Sequence, residues 1–265
     1  MLVDQLAERV TWDVKTEDCV KGVSGIPDAS LDFVFADPPY LLSNGGFTVS
    51  SGRQASVDKG RWDISQGFDT DMQFHKDWIA AIRPKLKPDA SIVISGTYHS
   101  IYKCGVALEQ LGFRVLNEII WFKPNGAPNL SGRSFAASHE TLIWASVSTK
   151  SRHTFNYLDM KHGDFPGDAL KNPDKQMRSV WCIPNTPARE KTLGRHPTQK
   201  PLALLERLIL ACTKPGDVVL DPFVGSGTTG VAAVKLGRSF IGFETDREYS
   251  QLARKRIRAE FKGDK

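Results

Sequence analysis

Cysteine is scarce and scattered in this chain. The four residues Cys19, Cys104, Cys182 and Cys212 form no Cys-x-x-Cys pair, which argues against a zinc site or a disulfide framework. A reducing, cytoplasmic setting is therefore expected, with no metal. No apolar run is long enough to cross a bilayer and no leader pattern is visible, so no membrane association is expected. Internal repeats and low-complexity tracts are also missing. What remains is 265 residues, 40% hydrophobic and 25% charged, the balance of a globular protein able to bury a full core. A net charge of +5 permits a polyanionic partner without requiring one.

Two stretches carry the chemistry. The first is an apolar run, Phe33-Val-Phe-Ala36, that ends abruptly in Asp37-Pro38-Pro39-Tyr40. The run reads as a buried strand of a parallel sheet. Two prolines cannot continue a central strand, because each lacks the N–H that a ladder needs. Their fixed φ also holds the flanking carboxylate and phenol in place. A site of this kind at a strand's C-terminal edge is where open α/β sheets bind ligands.

The second stretch, Val219 to Gly230, runs from a strand into a glycine-rich turn that opens a helix. Glycine is needed at Gly225 and Gly227, where a β-carbon would obstruct the turn or a ligand approaching backbone N–H groups. No lysine follows the turn, so a phosphate P-loop is rejected. Gly225-Ser-Gly-Thr-Thr-Gly230 fits the dinucleotide fingerprint GxGxxG, and it equally fits an S-adenosylmethionine site. In either reading Glu244, an acid closing the next strand, is placed to hold ribose hydroxyls.

Elsewhere the periodicity alternates between strand and helix. A short strand and turn is expected at 14–19, a helix at 71–86 (Phe74, Trp78, Ile82, Leu86), and a strand at 91–95. A helix at 99–111 is closed by Gly112, and strands follow at 115–122 and 141–147. The last third carries helices at 201–213, 227–236 and 247–261 around strands at 216–221 and 239–244. Such alternation implies an α/β fold with a mostly parallel, doubly wound, Rossmann-like sheet. Residues 41–67 and 148–195 show no period and read as a functional loop and a substrate-facing insertion.

Taken together, Asp37-Pro-Pro-Tyr40, His196-Pro-Thr-Gln-Lys-Pro201 and Asp221-Pro-Phe-Val-Gly-Ser-Gly-Thr228 closely resemble the motifs of the amino-group DNA methyltransferases. Their order resembles that of the β group, and the resemblance covers nearly the whole chain. It implies one S-adenosylmethionine-dependent domain over 1–265. Within it lie a catalytic half (about 1–147), a target-recognition insertion (about 148–195) and a cofactor half (about 196–265).

The resemblance puts the cofactor against Asp37, Asp221, Pro222, Phe223, Gly225, Ser226, Gly227 and Thr228, with Glu244 on the ribose. Thr198, Lys200 and Pro201 would line its methionine end, and Asp18 with Cys19 its adenine end. Cys19 reads as wall, since buried cysteines mostly pack; Lys200 could equally be a surface lysine. Catalysis would fall to Asp37, Pro38, Pro39 and Tyr40. Hydrogen bonds to the Asp37 carboxylate and the Pro38 carbonyl would make an exocyclic amino nitrogen more nucleophilic. Tyr40 would stack on a base flipped out of the duplex. Aspartate at the first position favours adenine N6 over cytosine N4. A silent DNA-binding subunit is the alternative of another class, and the intact motifs argue against it.

DNA contacts are expected from Lys59 and Arg61 beside Trp62, and from Arg178, Arg189 and Arg195, in an insertion where Phe155 and Tyr157 interleave with basic residues. The basic run 254–258 reads instead as the wet face of a helix. Residues 43–46 and 57–63 resemble the subgroup found beside restriction systems that recognise GATC. A cognate restriction endonuclease and a homodimer are implied by the family alone.

Overall fold

The computed structural model describes residues 10–41, 47–50, 53–56, 63–126, 128, 132–165 and 175–261. The first half comprises β1 (Trp12–Thr16), α1 (Cys19–Val23), β2 (Leu31–Ala36), β3 (Phe47–Ser50), β4 (Arg53–Ser56), α2 (Phe68–Ile82), β5 (Leu86–Gly96), α3 (Ile101–Gln110) and β6 (Arg114–Phe122). The second half comprises β7 (His139–Ser146), α4 (Tyr157–His162), β8 (Val180–Cys182), α5 (Leu202–Cys212), β9 (Val218–Asp221), α6 (Thr228–Lys235), β10 (Ser239–Glu244) and α7 (Arg247–Glu260). Eight strands make one sheet in the order β1-β10-β9-β2-β5-β7-β6-β8, and β3 pairs with β4 as a separate antiparallel hairpin.

From β1 to β5 every neighbour is parallel, and β7 runs antiparallel between β5 and β6. β2 shows why the sheet is covered on both sides. Its side chains alternate, so Phe33 and Phe35 enter one core while Val34 and Ala36 enter the other. The first core is closed by α5, α6 and α7 through Leu204, Leu208, Ala232 and Ile257. The second is closed by α1, α2 and α3 through Val23, Trp78, Ile82, Ile101 and Leu108.

β2 lies between β9 and β5, where successive connections leave in opposite directions along the sheet. Such a switch point opens a crevice at the carboxyl ends of the strands. Register sets Phe33 beside Val219 and Gly242 beside Asp221. The residues that follow β2, β9 and β10 therefore emerge side by side.

Several expectations are corrected. Leu86 does not end a helix but begins β5, because Pro84 follows α2 and a short 3-10 turn over Arg83–Lys85 redirects the chain. The 41–67 loop contains the β3–β4 hairpin. The 148–195 segment, read as having no period, contains α4 and β8. Met160 of α4 and Trp181 of β8 are buried, and β8 extends the sheet beside β6. Asn156 Nδ2 also donates to the carbonyls of Leu210 at 2.6 Å and Thr213 at 2.8 Å. Periodicity missed these elements because they span only six and three residues.

The 254–258 run is only in part a wet face, with Lys255 and Arg258 exposed. Arg254 Nε donates to the Val14 carbonyl at 2.9 Å, and Arg256 is buried. Among the described residues no helix is long and apolar enough to cross a membrane.

Close packing behind the crevice is testable at Gly242, where an added Cβ would lie 2.3 Å from Val224 Cγ2. Gly242→Ala is expected to lower stability by about 1–3 kcal/mol, read from the urea midpoint at unchanged slope.

Candidate active site

A cleft of about 510 Å³ sits over the carboxyl ends of β2, β9 and β10. It brings together Asp18, Cys19, Asp37, Pro38, Pro39, Tyr40, Thr198, Lys200, Asp221, Pro222, Phe223, Gly225, Ser226, Thr228 and Glu244. Of the expected cofactor residues, Pro201 and Gly227 stand behind this wall rather than in it. Pro201 caps the start of α5. Gly227 has φ +79°, and an added Cβ would lie 2.8 Å from the Ala253 backbone. Its glycine is thus required by packing against α7. Gly225 is the turn residue that faces the cleft, with φ +51° and the His196 ring beside it.

Each end of the glycine-rich turn is held by a charged side chain, half-buried Glu244 at one and buried Arg256 at the other. Glu244 Oε2 accepts the Gly225 N–H at 2.8 Å, while its Oε1 accepts the Asp246 N–H at 2.8 Å. Arg256, reaching in from α7, donates to the Ser226 carbonyl at 2.7 Å and to Thr228 Oγ1 at 3.0 Å. Asp221 accepts the Thr229 hydroxyl at 2.6 Å and the Phe223 N–H at 2.9 Å. Burial still dominates there and pushes its carboxyl up to about 7. Burial also raises Glu244. Cys19 is pushed up to about 12 by burial and stays a thiol, so it serves as wall. Asp18 caps α1 through the Lys21 N–H at 3.2 Å.

The adjoining end of the cleft holds a cluster of charge around Tyr40. Its hydroxyl lies 2.6 Å from Asp37 Oδ1, 2.8 Å from Glu140 Oε2 and 3.1 Å from Ser95 Oγ. Lys200 pairs with Asp37 Oδ2 and lies 3.4 Å from Glu140 Oε2, and its Nζ sits 5.1 Å from the Tyr40 ring centroid. It is a buried partner in this network and not a surface lysine. Lys123 Nζ bonds Glu140 Oε1 at 2.8 Å.

Burial pushes the Asp37 carboxyl up, and Lys200 only partly offsets this. Burial would raise Glu140 too, but Lys200 and Lys123 together hold it down at about 2. Lys200 stays above its usual value because Asp37 and Glu140 outweigh the effect of burial. Beyond Tyr40 the chain turns through Leu41 at φ +62°, a strained value for a branched residue, and the Asp63 carboxylate fixes it by accepting the Leu41 N–H at 2.7 Å.

A model of the N6- and N4-type DNA methylases matches residues 31–255. The chain belongs to the DNA methylase family. It is 51% identical over 244 residues to the type II methyltransferase M2.DpnII of Streptococcus pneumoniae, covering 92% of this chain and 88% of that one. It is 45% identical over 245 residues to M2.MboI of Moraxella bovis, covering 92% of this chain and 87% of that one. Among solved structures, M1.HpyAVI in complex with SAM (S-adenosylmethionine) is 29% identical with a TM-score of 0.67, covering 93% and 99% of the two chains. The cytosine-N4-specific PvuII methyltransferase, 20% identical with a TM-score of 0.70 over 94% and 87% of the chains, shares the fold. This methylase is thus an S-adenosylmethionine-dependent DNA methyltransferase with a Rossmann-like sheet.

Of the residues expected to touch DNA, Lys59 and Arg61 lie outside the described part of the methylase, as do 43–46 and 57–62. Arg178, Arg189 and Arg195 are exposed and stand off the cleft wall. Phe155 and Tyr157 are exposed, and the Phe155 ring also packs 5.6 Å from that of Trp144. Residue typing missed Glu140, Lys123, Ser95, Asp63 and Arg256. Glu140 left one faint mark, an acid just before the apolar run Leu142-Ile-Trp-Ala145 of β7.

Arg256→Met removes both anchors of the Ser226–Thr228 turn. Faster amide exchange is expected at Gly227 and Thr228, with the β5 core unchanged, as read by hydrogen exchange.

Proposed function

We propose that this methylase transfers the methyl group of S-adenosylmethionine to the N6 amino group of a flipped-out adenine in a short DNA sequence. The observation that carries this reading is the single cleft in which Asp37, ending β2, opens beside the Asp221 and Glu244 ends of β9 and β10. A cofactor and a target can meet there.

The lining fits S-adenosylmethionine. Asp18, Asp221 and Glu244 offer acceptors to a cation and to ribose hydroxyls, whereas a pyrophosphate would meet acids on every side. Lys200, the one lysine in the lining among the described residues, is already paired with carboxylates. When bound, the cofactor supplies an electrophilic methyl on a sulfonium. Glu244 would hold the ribose while tying down Gly225, and Phe223, Gly225, Ser226 and Thr228 would form the wall against which it sits. Thr198 and Lys200 would flank its methionine end, with Pro201 fixing their backbone, and Asp18 with Cys19 its adenine end.

Asp37 and the Pro38 carbonyl would accept the two N–H groups of the target nitrogen, freeing its lone pair for in-line attack. Pro39 makes the turn rigid, and Tyr40 stacks on the flipped base. Much of the acceleration is positioning, which can be worth about 7–11 kcal/mol. Asp37 at the head of the motif supports adenine over cytosine. Exposed Arg178, Arg189 and Arg195, with Lys59 and Arg61, would grip phosphates. The type II relatives support a role beside a cognate restriction endonuclease; GATC as target rests on the resemblance of residues 43–46 and 57–63, and a homodimer in the cytoplasm on the family resemblance.

The test is to incubate the protein with methyl-labelled S-adenosylmethionine and DNA from an unmethylated host, then digest to nucleosides. Label in N6-methyladenosine is the expected result. Label in N4-methylcytosine overturns the base assignment, and no label with cofactor bound overturns the reaction.

Cleft ionisation gives a second measurement. Asp221 sits at about 7 in the folded protein against 3.8 ordinarily, so the stability it contributes is present below about 4 and lost as pH rises through 7. A bound cation favours the ionised carboxylate and reverses that loss. Calorimetric affinity for S-adenosylmethionine is therefore expected to be tighter at about pH 8 than at about pH 6. Asp221→Asn should flatten the difference.

A further inference from the structure

Asp37 is occupied. Its Oδ1 accepts the Tyr40 hydroxyl at 2.6 Å and its Oδ2 holds the Lys200 ammonium. An amino group arriving as a donor meets a carboxylate already neutralised and engaged. Both of those partners have a second carboxylate within reach. Glu140 Oε2 lies 2.8 Å from the Tyr40 hydroxyl and 3.4 Å from Lys200 Nζ.

The Tyr40 hydroxyl carries one proton and donates to one carboxylate at a time. Rotation about its C–O bond moves that proton from Asp37 to Glu140. Lys200 needs only to close from 3.4 Å to a charge-assisted distance of about 2.8 Å, a sub-ångström shift. Neither move exposes a charge to solvent. Glu140 is meanwhile anchored, since Oε1 is tied to Lys123 at 2.8 Å and Oε2 accepts Ser95 Oγ at 3.3 Å. Lys123 is itself held over the Trp121 ring, 4.9 Å from its centroid.

We propose that Glu140 is a positioning residue of methyl transfer, receiving Lys200 and the Tyr40 hydroxyl from Asp37 as the target amino group binds. This rests on the reading of Asp37 as the acceptor of that amino group. Charge supports the handover. Glu140 faces two ammonium groups where Asp37 faces one, so Glu140 is the stronger acid and keeps its charge. Asp37, once released, is the more basic carboxylate and the better acceptor. The plainer role for Glu140 is a counter-ion to Lys123 at the sheet edge, which would affect stability alone.

The experiment is single-turnover methylation of DNA from an unmethylated host at saturating S-adenosylmethionine, from about pH 5 to about pH 9. It compares the wild type with Glu140→Gln and with the double variant Glu140→Gln/Lys123→Met. The double variant removes the whole outer pair and so avoids a buried unpaired lysine. A rate lower by about 10–100-fold is expected in both, with the cofactor dissociation constant unchanged. The acid limb should also move to lower pH, because the Glu140 charge that helps raise Asp37 is gone.

An unchanged rate and acid limb in either folded variant overturns the proposal, as does a lower rate with an unmoved limb. Full activity in Asp37→Ala sinks the reading of Asp37 itself. Dependence on Asp37 with indifference to Glu140 sinks only the handover.

Discussion

Two carboxylates, two ammonium groups and one phenol share a space at the sheet edge from which water is largely excluded. Asp37, Glu140, Lys200 and Lys123 balance in charge around Tyr40, and none could stay buried and ionised without the others. Removing one member of such a cluster typically costs about 3–5 kcal/mol, because the partner is left buried and uncompensated. The arrangement therefore constrains everything that feeds it. β2 must deliver Asp37, β5 must deliver Ser95, and β7 must deliver Glu140 at adjoining points, with β6 supplying Lys123 from beyond. The register of four neighbouring strands is tied to one electrostatic requirement.

The glycine-rich turn after β9 follows a different logic. Its charges fix backbone rather than one another. Glu244 spends both oxygens on N–H groups, and Arg256 spends its guanidinium on a carbonyl and a hydroxyl of the next turn. The glycine-rich turn is thus clamped from β10 on one side and from α7 on the other. Gly227 belongs to the same clamp, since only a missing Cβ lets α7 come close enough for Arg256 to reach. A turn pre-formed in this way spares a ligand the entropy of ordering it.

Leu41 shows how the turn after β2 is held. The chain leaves Tyr40 through a left-handed residue, and the Asp63 carboxylate, arriving from beyond the β3–β4 hairpin, satisfies the exposed N–H. The 41–67 stretch is therefore not just a loop placed for DNA. At its far end it also holds the turn after Tyr40 in shape.

The amino-acid sequence by itself determined the parts governed by local physics. Alternating period and apolar runs marked β2, β9, β10 and the long helices, because backbone preference and burial act over a few residues. Asp37-Pro-Pro-Tyr40 and the 225–230 turn were legible because prolines and glycines at those positions have few other uses. Only the tertiary structure decided what those residues touch. Glu140 is 100 residues from Tyr40, and Lys200 is 163 from Asp37, so no spacing could reveal either contact. Arg256, in a basic run on a helix, looked solvated and proved buried. α4 and β8 were invisible because their few residues are ordered by packing on α5 and β6 rather than by their own propensity. A side chain's type sets what it can do, and the register of distant strands sets what it meets.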